Sequence, residues 1–443
     1  MRAVPPTNLQ VANRQAGVRQ TAPIVRTRPI DDPEALLALL PNDHPSAWVR
    51  DGEGLVGWGV AAELQVRGFE RFSRTQRWWN SWCQAATIDD TVAVPGSGPV
   101  AFGSFTFDPD AWSSIVIVPK VVVGRRGGQA WMTVVEMPDE EASPTTGLTD
   151  VTRRTTLHAV TPAAQIEGIQ WRTGAATEAR WQEAVREAVR RINAGEMDKV
   201  VLARDVIGEV TGPLDLRLLL DNLASAYPSC WTFAVDGLVG ATPELLVRRT
   251  GDLVTSRVLA GTVRRQGDAS IDASLAEALL ASGKDLEEHE YAVHSVARAL
   301  AAHCTDLDVP PRPHVLRLAN VQHLATDVTG QLADGTSVLG LAAALHPTAA
   351  VCGTPTERAM AAIRELEGMD RRRYAGPVGW FDAHGDGEFG IALRCAEVDA
   401  ASGRVRAFAG CGIVSGSNAE QELAESTAKL APVMNALITE TLT

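Results

Sequence analysis

Several segments of the chain repeat apolar residues every three or four positions, and this period predicts amphipathic helices. In 178–192 the apolar side chains fall on one helical face, and Gly195 marks the stop. Further helices are expected at 271–303, with a break at Gly283, and at 336–345, 356–366 and 419–437.

Other segments are rich in β-branched residues and predict strands. Segments 115–123 and 130–137 flank an Arg-Arg-Gly-Gly turn, which predicts a hairpin. A second hairpin is expected from 245–249 and 253–258. The remaining strands are expected at 199–207, 377–381, 389–398 and 405–408. Because hairpins are frequent and strict βαβ order is not followed, the pattern predicts an α+β fold of antiparallel sheets covered by helices.

The composition narrows the classes of function. The chain has 443 residues, 45% of them hydrophobic, and a formal net charge of −13. An acidic chain without a long run of one charge is not expected to bind nucleic acid or an anionic membrane. No apolar stretch approaches the roughly 20 residues that a membrane span needs. The six cysteines are scattered without a CxxC pair, which favours a reducing, cytoplasmic compartment.

The first 30 residues differ from the rest of the chain. They hold five arginines and no acidic residue, but no apolar signal core. We expect a disordered arm at 1–30, with a transit peptide as the alternative.

The first candidate site lies at 409–414 and in the helix after it. Ala-Gly-Cys-Gly-Ile-Val describes a strand running into a Gly-rich turn, whose free N–H groups favour an anion such as a small carboxylate. In the helix, Glu422, Glu425 and Lys429 share one face because side chains three and four positions apart are neighbours. Another face is expected to pack inward, namely Leu423, Thr427, Leu430 and Met434. The alternative is a solvated face with an ordinary ion pair.

A second acidic cluster occupies 284–290, with the sequence Lys-Asp-Leu-Glu-Glu-His-Glu. Mg²⁺ takes carboxylate oxygens, usually only one or two from the protein. Glu288 from this cluster and Glu425 from the last helix could supply that pair. The alternative is a charged, solvated helix turn.

Two further residues could transfer protons. Lys199 opens an apolar strand, where partial desolvation favours its neutral form and could make it a base. The alternative is a lysine that extends from the strand edge into water. Glu244 follows Gly-Ala-Thr-Pro and says little alone.

His323 and Arg394 both lie in strand-like sequence. Arginine matches the geometry of a carboxylate, but single residues of either type in strands are also often structural. The nine histidines show no metal-ligand spacing, and no nucleotide-binding motif is present.

Taken together, ten segments resemble the chorismate-utilising enzyme family, which contains anthranilate, aminodeoxychorismate, salicylate and isochorismate synthases. In chain order the segments are DKVVLAR (198–204), GATPELL (240–246), LAGT (259–262), KDLEEHE (284–290), QHLAT (322–326), HPTAAVCG (346–353), YAGPVG (374–379), ALRCA (392–396), AGCGIV (409–414) and ELAES (422–426). The resemblance covers about 178–437 and implies two large antiparallel sheets packed across each other, with helices outside and the active site between the halves. It also implies a variable N-terminal half at 31–170 and a chorismate-binding catalytic region at 171–443.

The resemblance also implies site roles. Glu288 and Glu425 resemble the Mg²⁺ ligands, and Glu422 would support the metal through water. Arg394 and the backbone near Gly412 resemble the anchors of a substrate carboxylate. The list of implied substrate contacts is completed by Lys429 as a helper, His323 against the ring, Tyr374 and Ala350.

Three positions resemble the members that use water as the nucleophile. Lys199 stands where anthranilate-type enzymes have glutamine, and Ala260 where one type of aminodeoxychorismate synthase has a nucleophilic lysine. Ala350 stands where aminating members usually have threonine. No glutaminase subunit is therefore expected, and the chain contains no glutaminase segment. Cys411 departs from the alanine usual between the two glycines.

The resemblance thus implies Mg²⁺-dependent conversion of chorismate to isochorismate, with Lys199 as base and Glu244 as acid. Tyr374 and Leu393 occur in both isochorismate and salicylate synthases, so a salicylate synthase that goes on to eliminate pyruvate is one alternative. A non-catalytic chorismate-binding protein is another. The sequence leaves open whether the product serves menaquinone or siderophore biosynthesis.

Overall fold

A computed structural model describes residues 22–42, 44–110, 113–137 and 163–438. This part of the chain contains eight α-helices: α1 (Arg71–Ala85), α2 (Glu178–Asn193), α3 (Leu216–Ala226), α4 (Ala269–Ala281), α5 (Gly283–Leu300), α6 (Val338–Leu345), α7 (Thr356–Leu366) and α8 (Ala419–Ala436). A 3₁₀ helix covers Leu37–Leu39. None of the described helices is long and apolar enough to cross a membrane.

The strands of these residues form two sheets. The first sheet has 13 strands, in spatial order β10 (Gly168–Thr173), β11 (Lys199–Thr211), β23 (Arg404–Ile413), β22 (Cys395–Asp399), β13 (Leu238–Thr242), β12 (Trp231–Val235), β2 (Ser46–Arg50), β3 (Glu53–Trp58), β8 (Val121–Arg126), β9 (Gln129–Glu136), β1 (Ile24–Ile30) and β5 (Thr87–Asp90), with β19 (Gly353–Thr354) beside β11.

The second sheet has 10 strands, in spatial order β16 (Cys304–Asp308), β18 (Val321–Leu332), β15 (Leu253–Arg264), β14 (Leu245–Thr250), β21 (Gly387–Ile391), β20 (Pro377–Asp382), β6 (Val100–Ser104), β7 (Ser114–Val118) and β4 (Ala62–Val66), with β17 (His314–Arg317) beside β18. Among the described strands only β1 and β5 pair in parallel. The predicted α+β fold with two large antiparallel sheets is confirmed.

Apolar packing occurs on both faces of the first sheet. The larger hydrophobic cluster lies between the sheets and includes Trp48, Phe102 and Phe389. The smaller cluster lies on the outer face, where α3 and α8 pack with residues such as Leu219 and Leu430. The inner faces of the sheets therefore meet in the core, and the site described below lies between them.

Several local predictions are confirmed. The helix expected at 178–192 is α2, whose buried face begins with Trp181; the side chain of Thr177 accepts a hydrogen bond from the Arg180 amide and caps it. Gly283 begins α5 after a break at Ser282, whose side chain caps the new helix. The hairpin of β14 and β15 forms around Gly251.

Other predictions are wrong. Residues 24–30 form β1, so this part of the expected arm is ordered in the first sheet, while residues 1–21 lie outside the described residues. The segment 115–123 divides into β7 and β8, and 389–398 divides into β21 and β22, each pair split between the two sheets. In both segments the chain bends from one sheet into the other, and the strand pattern of the sequence does not show where such a bend occurs.

The closing helix also differs from the prediction. Its buried face carries Glu422, Ser426, Leu430 and Val433, whereas Thr427 is exposed. Polar partners from distant elements explain this difference. Arg204 Nε donates to Ser426 Oγ at 2.7 Å, and Lys284 Nζ lies 2.9 Å from Glu422 Oε1.

Candidate active site

A cavity of about 680 Å³, including its part open to solvent, lies between the sheets. Strands β11 and β23 of the first sheet and β15 and β18 of the second contribute to its walls, together with α5 and α8. Eight of the predicted site residues line it: Glu244, Glu288, His323, Ala350, Tyr374, Arg394, Gly412 and Lys429.

The three other predicted residues lie directly behind this lining. Lys199 Nζ lies 3.2 Å from Glu288 Oε1, and Glu425 Oε1 lies 2.6 Å from Lys429 Nζ. Glu422 is buried beside Lys284 on the same side of the cavity. The fold thus brings together all eleven predicted residues, which lie up to about 230 positions apart in the chain.

Lys199 begins β11 and has no exposed surface. Its main chain pairs with Thr354 of β19, which places its side chain at the end of the cavity. The structure therefore places Lys199 one side chain away from the cavity surface.

Glu244 lies between β13 and β14, and its side chain is buried. Burial raises the pKa of this carboxyl to about 8, against the weaker opposing effects of the Lys199 charge and of a hydrogen bond from the Leu259 amide. At neutral pH the side chain is therefore mostly protonated, as a proton donor requires.

Glu288 is the opposite case. Burial acts to raise its pKa, but the neighbouring charges of Lys199 and Lys429 outweigh this, and the pKa lies below its usual value. Space for the ionised group depends on Gly412, because a Cβ there would lie 2.0 Å from Glu288 Oε1. A side chain at this position would therefore displace the Glu288 carboxylate from its place in the cavity.

Arg394 and His323 form a connected pair in the cavity wall. Arg394 Nη2 lies 3.2 Å from His323 Nε2, and His323 Nδ1 lies 3.0 Å from Thr262 Oγ1. Burial and the Arg394 charge hold the pKa of His323 well below its usual value, so the imidazole is neutral and its Nε2 accepts from Arg394. Arg394 lies in the link between β21 and β22 with a φ of 49°, so it is not in a strand as expected. A non-glycine residue in this region is uncommon, and such strain often marks a functional position.

The site also contains a cluster of carboxylates that a divalent cation could bind. Oxygens of Glu422 and Glu425 lie within 4.8 Å of each other and of Cys411 Sγ. Lys284 feels the charge of three carboxylates, Glu422, Glu288 and Glu425, which together raise its pKa despite its burial. Each of the three carboxylates is paired with a lysine, so a divalent cation would take over the role of these ammonium groups, and the carboxylates offer the oxygen donors that Mg²⁺ prefers. These residues fit the metal that the family resemblance implies.

Sequence reasoning missed three residues of the site. Thr262 contacts His323, Lys284 compensates Glu422, and Arg371 lines the cavity. Arg371 is held by Glu367 and donates to the carbonyls of Val201 (2.7 Å) and Val351 (2.8 Å). Thr262 and Lys284 both lie inside quoted motifs, so their positions were available. Arg371 begins a run of three arginines, which by itself indicates a solvated surface.

Comparison with known proteins agrees with this arrangement. The profile of the family described as "Chorismate binding enzyme" matches residues 13–438. The chain is 35% identical over 414 residues to the salicylate biosynthesis isochorismate synthase of Pseudomonas aeruginosa, covering 88% of this chain and 84% of that protein. It is 31% identical over 407 residues to the isochorismate synthase MenF of Bacillus subtilis, covering 86% and 85%.

Solved structures show the same fold. The menaquinone-specific isochorismate synthase MenF of Escherichia coli superposes with a TM-score of 0.75 at 26% identity, covering 95% of each chain. Anthranilate synthase component I of Streptococcus pneumoniae superposes with a TM-score of 0.69 at 21% identity, which concerns the fold alone. From its sequence, its two-sheet architecture and the cavity between the sheets, the chain belongs to the chorismate binding enzyme family.

Proposed function

We propose that this chain is an isochorismate synthase, an isomerase that converts chorismate to isochorismate. The names of its full-length relatives support this activity. The observation that carries the proposal is that one cavity combines a protonated acid, Glu244, with a buried lysine, Lys199, behind an ionised carboxylate. Acid and base catalysis at one carbon ring requires such a pair.

In the proposed reaction, water attacks C2 of chorismate while the C4 hydroxyl leaves. Lys199 accepts the proton of the attacking water, and Glu244 donates a proton to the departing oxygen, so a second water leaves and the carbon skeleton is retained. The base role requires a neutral Lys199. This in turn requires that Glu288 exchange its contact with Lys199 for another cation.

The substrate carboxylates would be held by the cationic wall of the cavity. Arg394 and Lys429 both line it, and Lys429 Nζ lies 3.0 Å from the Gly410 carbonyl oxygen. Glu425, 2.6 Å away, keeps Lys429 charged by raising its pKa, although burial opposes this. The neutral His323 offers an uncharged contact for the ring.

We propose Mg²⁺ as the cofactor, held by Glu288 and Glu425, with Glu422 in support. When bound, the metal would supply positive charge that clamps a carboxylate of the substrate. The carboxylate cluster and its compensating lysines support this assignment. We also propose that the enzyme works without a glutaminase subunit, because Lys199 and Ala350 match the members that use water. The free cysteines are compatible with a reducing compartment, and we propose the cytoplasm.

A specific observation keeps salicylate formation as the second candidate. One relative is named for salicylate biosynthesis, and Tyr374 and Leu393 both line the cavity. The two outcomes differ by a few kcal/mol of transition-state free energy, since about 1.4 kcal/mol is tenfold in rate.

Incubation of the purified protein with chorismate and Mg²⁺ tests the proposal, with chromatography of the products and a lactate dehydrogenase-coupled assay for pyruvate. We expect isochorismate to accumulate to an equilibrium with chorismate, with little pyruvate. Stoichiometric pyruvate with salicylate fluorescence rising in step would instead make the chain a salicylate synthase. Unchanged chorismate would leave only a binding function.

A further inference from the structure

A second crevice, away from the cavity described above, lies where strands from the middle of both sheets approach each other. It has a volume of about 1170 Å³, including its part open to solvent. Strands β2, β8 and β12 of the first sheet and β14 and β21 of the second provide its walls. Four arginines and two tryptophans dominate the lining: Arg50, Arg125, Arg126, Arg248, Trp48 and Trp231.

A buried carboxylate, Glu388, forms the floor of this crevice. Its Oε2 accepts hydrogen bonds from the indoles of Trp48 at 3.0 Å and Trp231 at 3.1 Å, and from Arg248 at 3.0 Å. Its Oε1 accepts from Arg126 at 3.0 Å. Burial acts to raise the pKa of Glu388, but Arg248 and Arg126 outweigh it, so the group is ionised. One carboxylate thus orients two guanidinium groups and uses only one of five N–H donors of each.

Further guanidinium donors have no partner. Among the described residues, the Nε atoms of Arg50, Arg125 and Arg248 are buried and make no hydrogen bond. Arg50 lies with its Cζ 4.3 Å above the Trp231 ring, and its Nε makes an ion pair at 3.5 Å, but no hydrogen bond, with Asp51, whose side chain is largely exposed. A buried donor without a partner is costly unless water or a ligand supplies an acceptor.

The positive charges in this region also crowd each other. Burial lowers the pKa of Arg50, and the neighbouring charges of Arg257 and Arg248 lower it further. The acids of the crevice are already engaged or exposed: Glu388 is saturated, and Glu53 accepts from the Gly127 amide. An anion between Arg50 and Arg248 would satisfy free donors and reduce this repulsion.

We propose that this crevice binds a small dianion, carrying phosphate or paired carboxylate groups, through Arg50, Arg248 and Arg126. Planar guanidinium forks match the oxygens of both groups in bidentate geometry. The site is separate from the chorismate cavity, because the two share no lining residue. A Cβ at Gly390 would lie 2.8 Å from the Trp48 ring and 2.9 Å from the Glu244 carbonyl oxygen.

Titration calorimetry with pyrophosphate and with citrate, at constant ionic strength set by sodium chloride, tests the proposal. We expect the wild type to bind at least one of the two probes, and the stronger probe identifies phosphate or carboxylate as the preferred group. Arg50→Gln should weaken this binding by about tenfold or more, as expected for loss of a charge-assisted hydrogen bond. Arg50→Glu should abolish it.

Two further variants control for binding elsewhere. Arg172→Gln removes an exposed arginine of β10 that pairs with Glu209. Arg394→Gln removes the arginine of the chorismate cavity. Both should bind the probe as the wild type does, and all variants are compared only if their thermal unfolding remains cooperative. Three results would each overturn the proposal. The wild type binds neither probe, both Arg50→Gln and Arg50→Glu bind the probe as tightly as the wild type, or Arg394→Gln loses binding.

Discussion

Glu244, which is buried, and Glu288, which is partly buried, line the same cavity, yet their surroundings drive their protonation in opposite directions. Burial raises the pKa of Glu244 to about 8, with Lys199 only a weaker opposing charge. For Glu288 burial acts in the same direction, but Lys199 at 3.2 Å, together with Lys429, brings the pKa below its usual value. Burial alone therefore does not set the charge of a carboxyl group, because a close counter-charge can reverse its effect.

The comparison separates the cavity into two walls. The Glu244 wall has no ion pair to its carboxyl among the described residues and can hold a transferable proton. The other wall, which we call the cation wall, has Glu288 in the cavity lining and Glu422 and Glu425 behind it. Each of these carboxylates pairs with a lysine, and we propose that they hold a cation. Pairs of titratable groups with diverging pKa values are typical of acid and base catalysis. The predictions below test which residues maintain this division.

The largest effect is expected for Lys199→Gln. Loss of the proposed base should lower isochorismate formation by about 10² to 10⁴. Glutamine stands at this position in the anthranilate-type relatives, so the fold should persist. Steady-state kinetics and circular dichroism measure both properties. Lys284→Gln is the matched control, because Lys284 pairs with Glu422 but lies outside the cavity lining. Its rate of isochorismate formation should fall by less than tenfold. Wild-type turnover in Lys199→Gln would contradict the base role.

Glu244→Gln should also stop turnover, by about 10² or more, because an amide cannot donate the proton to the leaving oxygen. Chorismate binding should survive, since Arg394 and Lys429 remain. In the wild type, turnover should fall as the pH rises through about 8, where Glu244 loses its proton. Calorimetric titration and a pH–rate profile check both points. If Glu244→Gln instead lost affinity for chorismate but turned over the bound substrate at the wild-type rate, Glu244 would be a binding residue.

Much of this site could be predicted from the sequence, because helices and motifs are recognised from short stretches of neighbouring residues. Helix bounds follow from periodicity and caps such as Thr177, and the motif order brought Glu244, Glu288 and Glu425 to attention. The family resemblance implies that Glu244 is protonated and Glu288 ionised, but the residue pattern alone does not predict this difference, because it depends on which lysine lies within about 3 Å of each carboxyl. That distance is set by strand pairings such as β11 with β19, far apart in sequence.

The error at the closing helix has the same origin. Leu423, Thr427, Leu430 and Met434 were expected to pack. Leu430 is buried and Leu423 and Met434 are partly buried against the core, but Thr427 is exposed, and Glu422 and Ser426 share the buried face. Their partners, Lys284 and Arg204, lie more than 130 positions earlier in the chain. A hydrophobic pattern cannot reveal a polar face whose partners come from other elements.

The same Glu244→Gln change should raise stability at neutral pH. The folded-state pKa of about 8 lies above the ordinary 4.5, so the unfolded state loses this proton first and folding is penalised as the pH rises from 4.5 to 8. Removal of the carboxyl should therefore stabilise the protein by up to ~3 kcal/mol at pH 7, and by little at pH 4.5. Chemical denaturation at both pH values measures this difference. Equal stability of variant and wild type at pH 7 would show that Glu244 is not protonated by its surroundings.

The cation wall predicts a metal requirement. A chelator should stop turnover and added Mg²⁺ should restore it. Glu288→Ala and Glu425→Ala should each raise the Mg²⁺ concentration for half-maximal activity by about tenfold or more, since few protein carboxylates hold this ion. Glu420→Ala, on the same helix but exposed and paired with Arg186, is the control and should behave as wild type. Calorimetric Mg²⁺ titration gives a second readout, and full activity in excess chelator would refute the metal role.

The smallest effect is expected at Cys411, where the chain departs from the alanine usual in the family. Gly410 and Gly412 line the cavity, whereas Cys411 between them has no exposed surface and its Sγ contacts the Glu422 carbonyl oxygen at 3.2 Å. Side chains of a strand alternate between its faces, so Cys411→Ala should leave the cavity backbone unchanged. We expect turnover within about twofold of wild type and a stability loss of about 1 kcal/mol from the lost sulfur. Cys411 Sγ also lies within 4.8 Å of oxygens of Glu422 and Glu425. If Cys411→Ala instead changed the Mg²⁺ concentration needed for half-maximal activity, the thiol would belong to the cation wall. That wall would then extend to the outer face of β23.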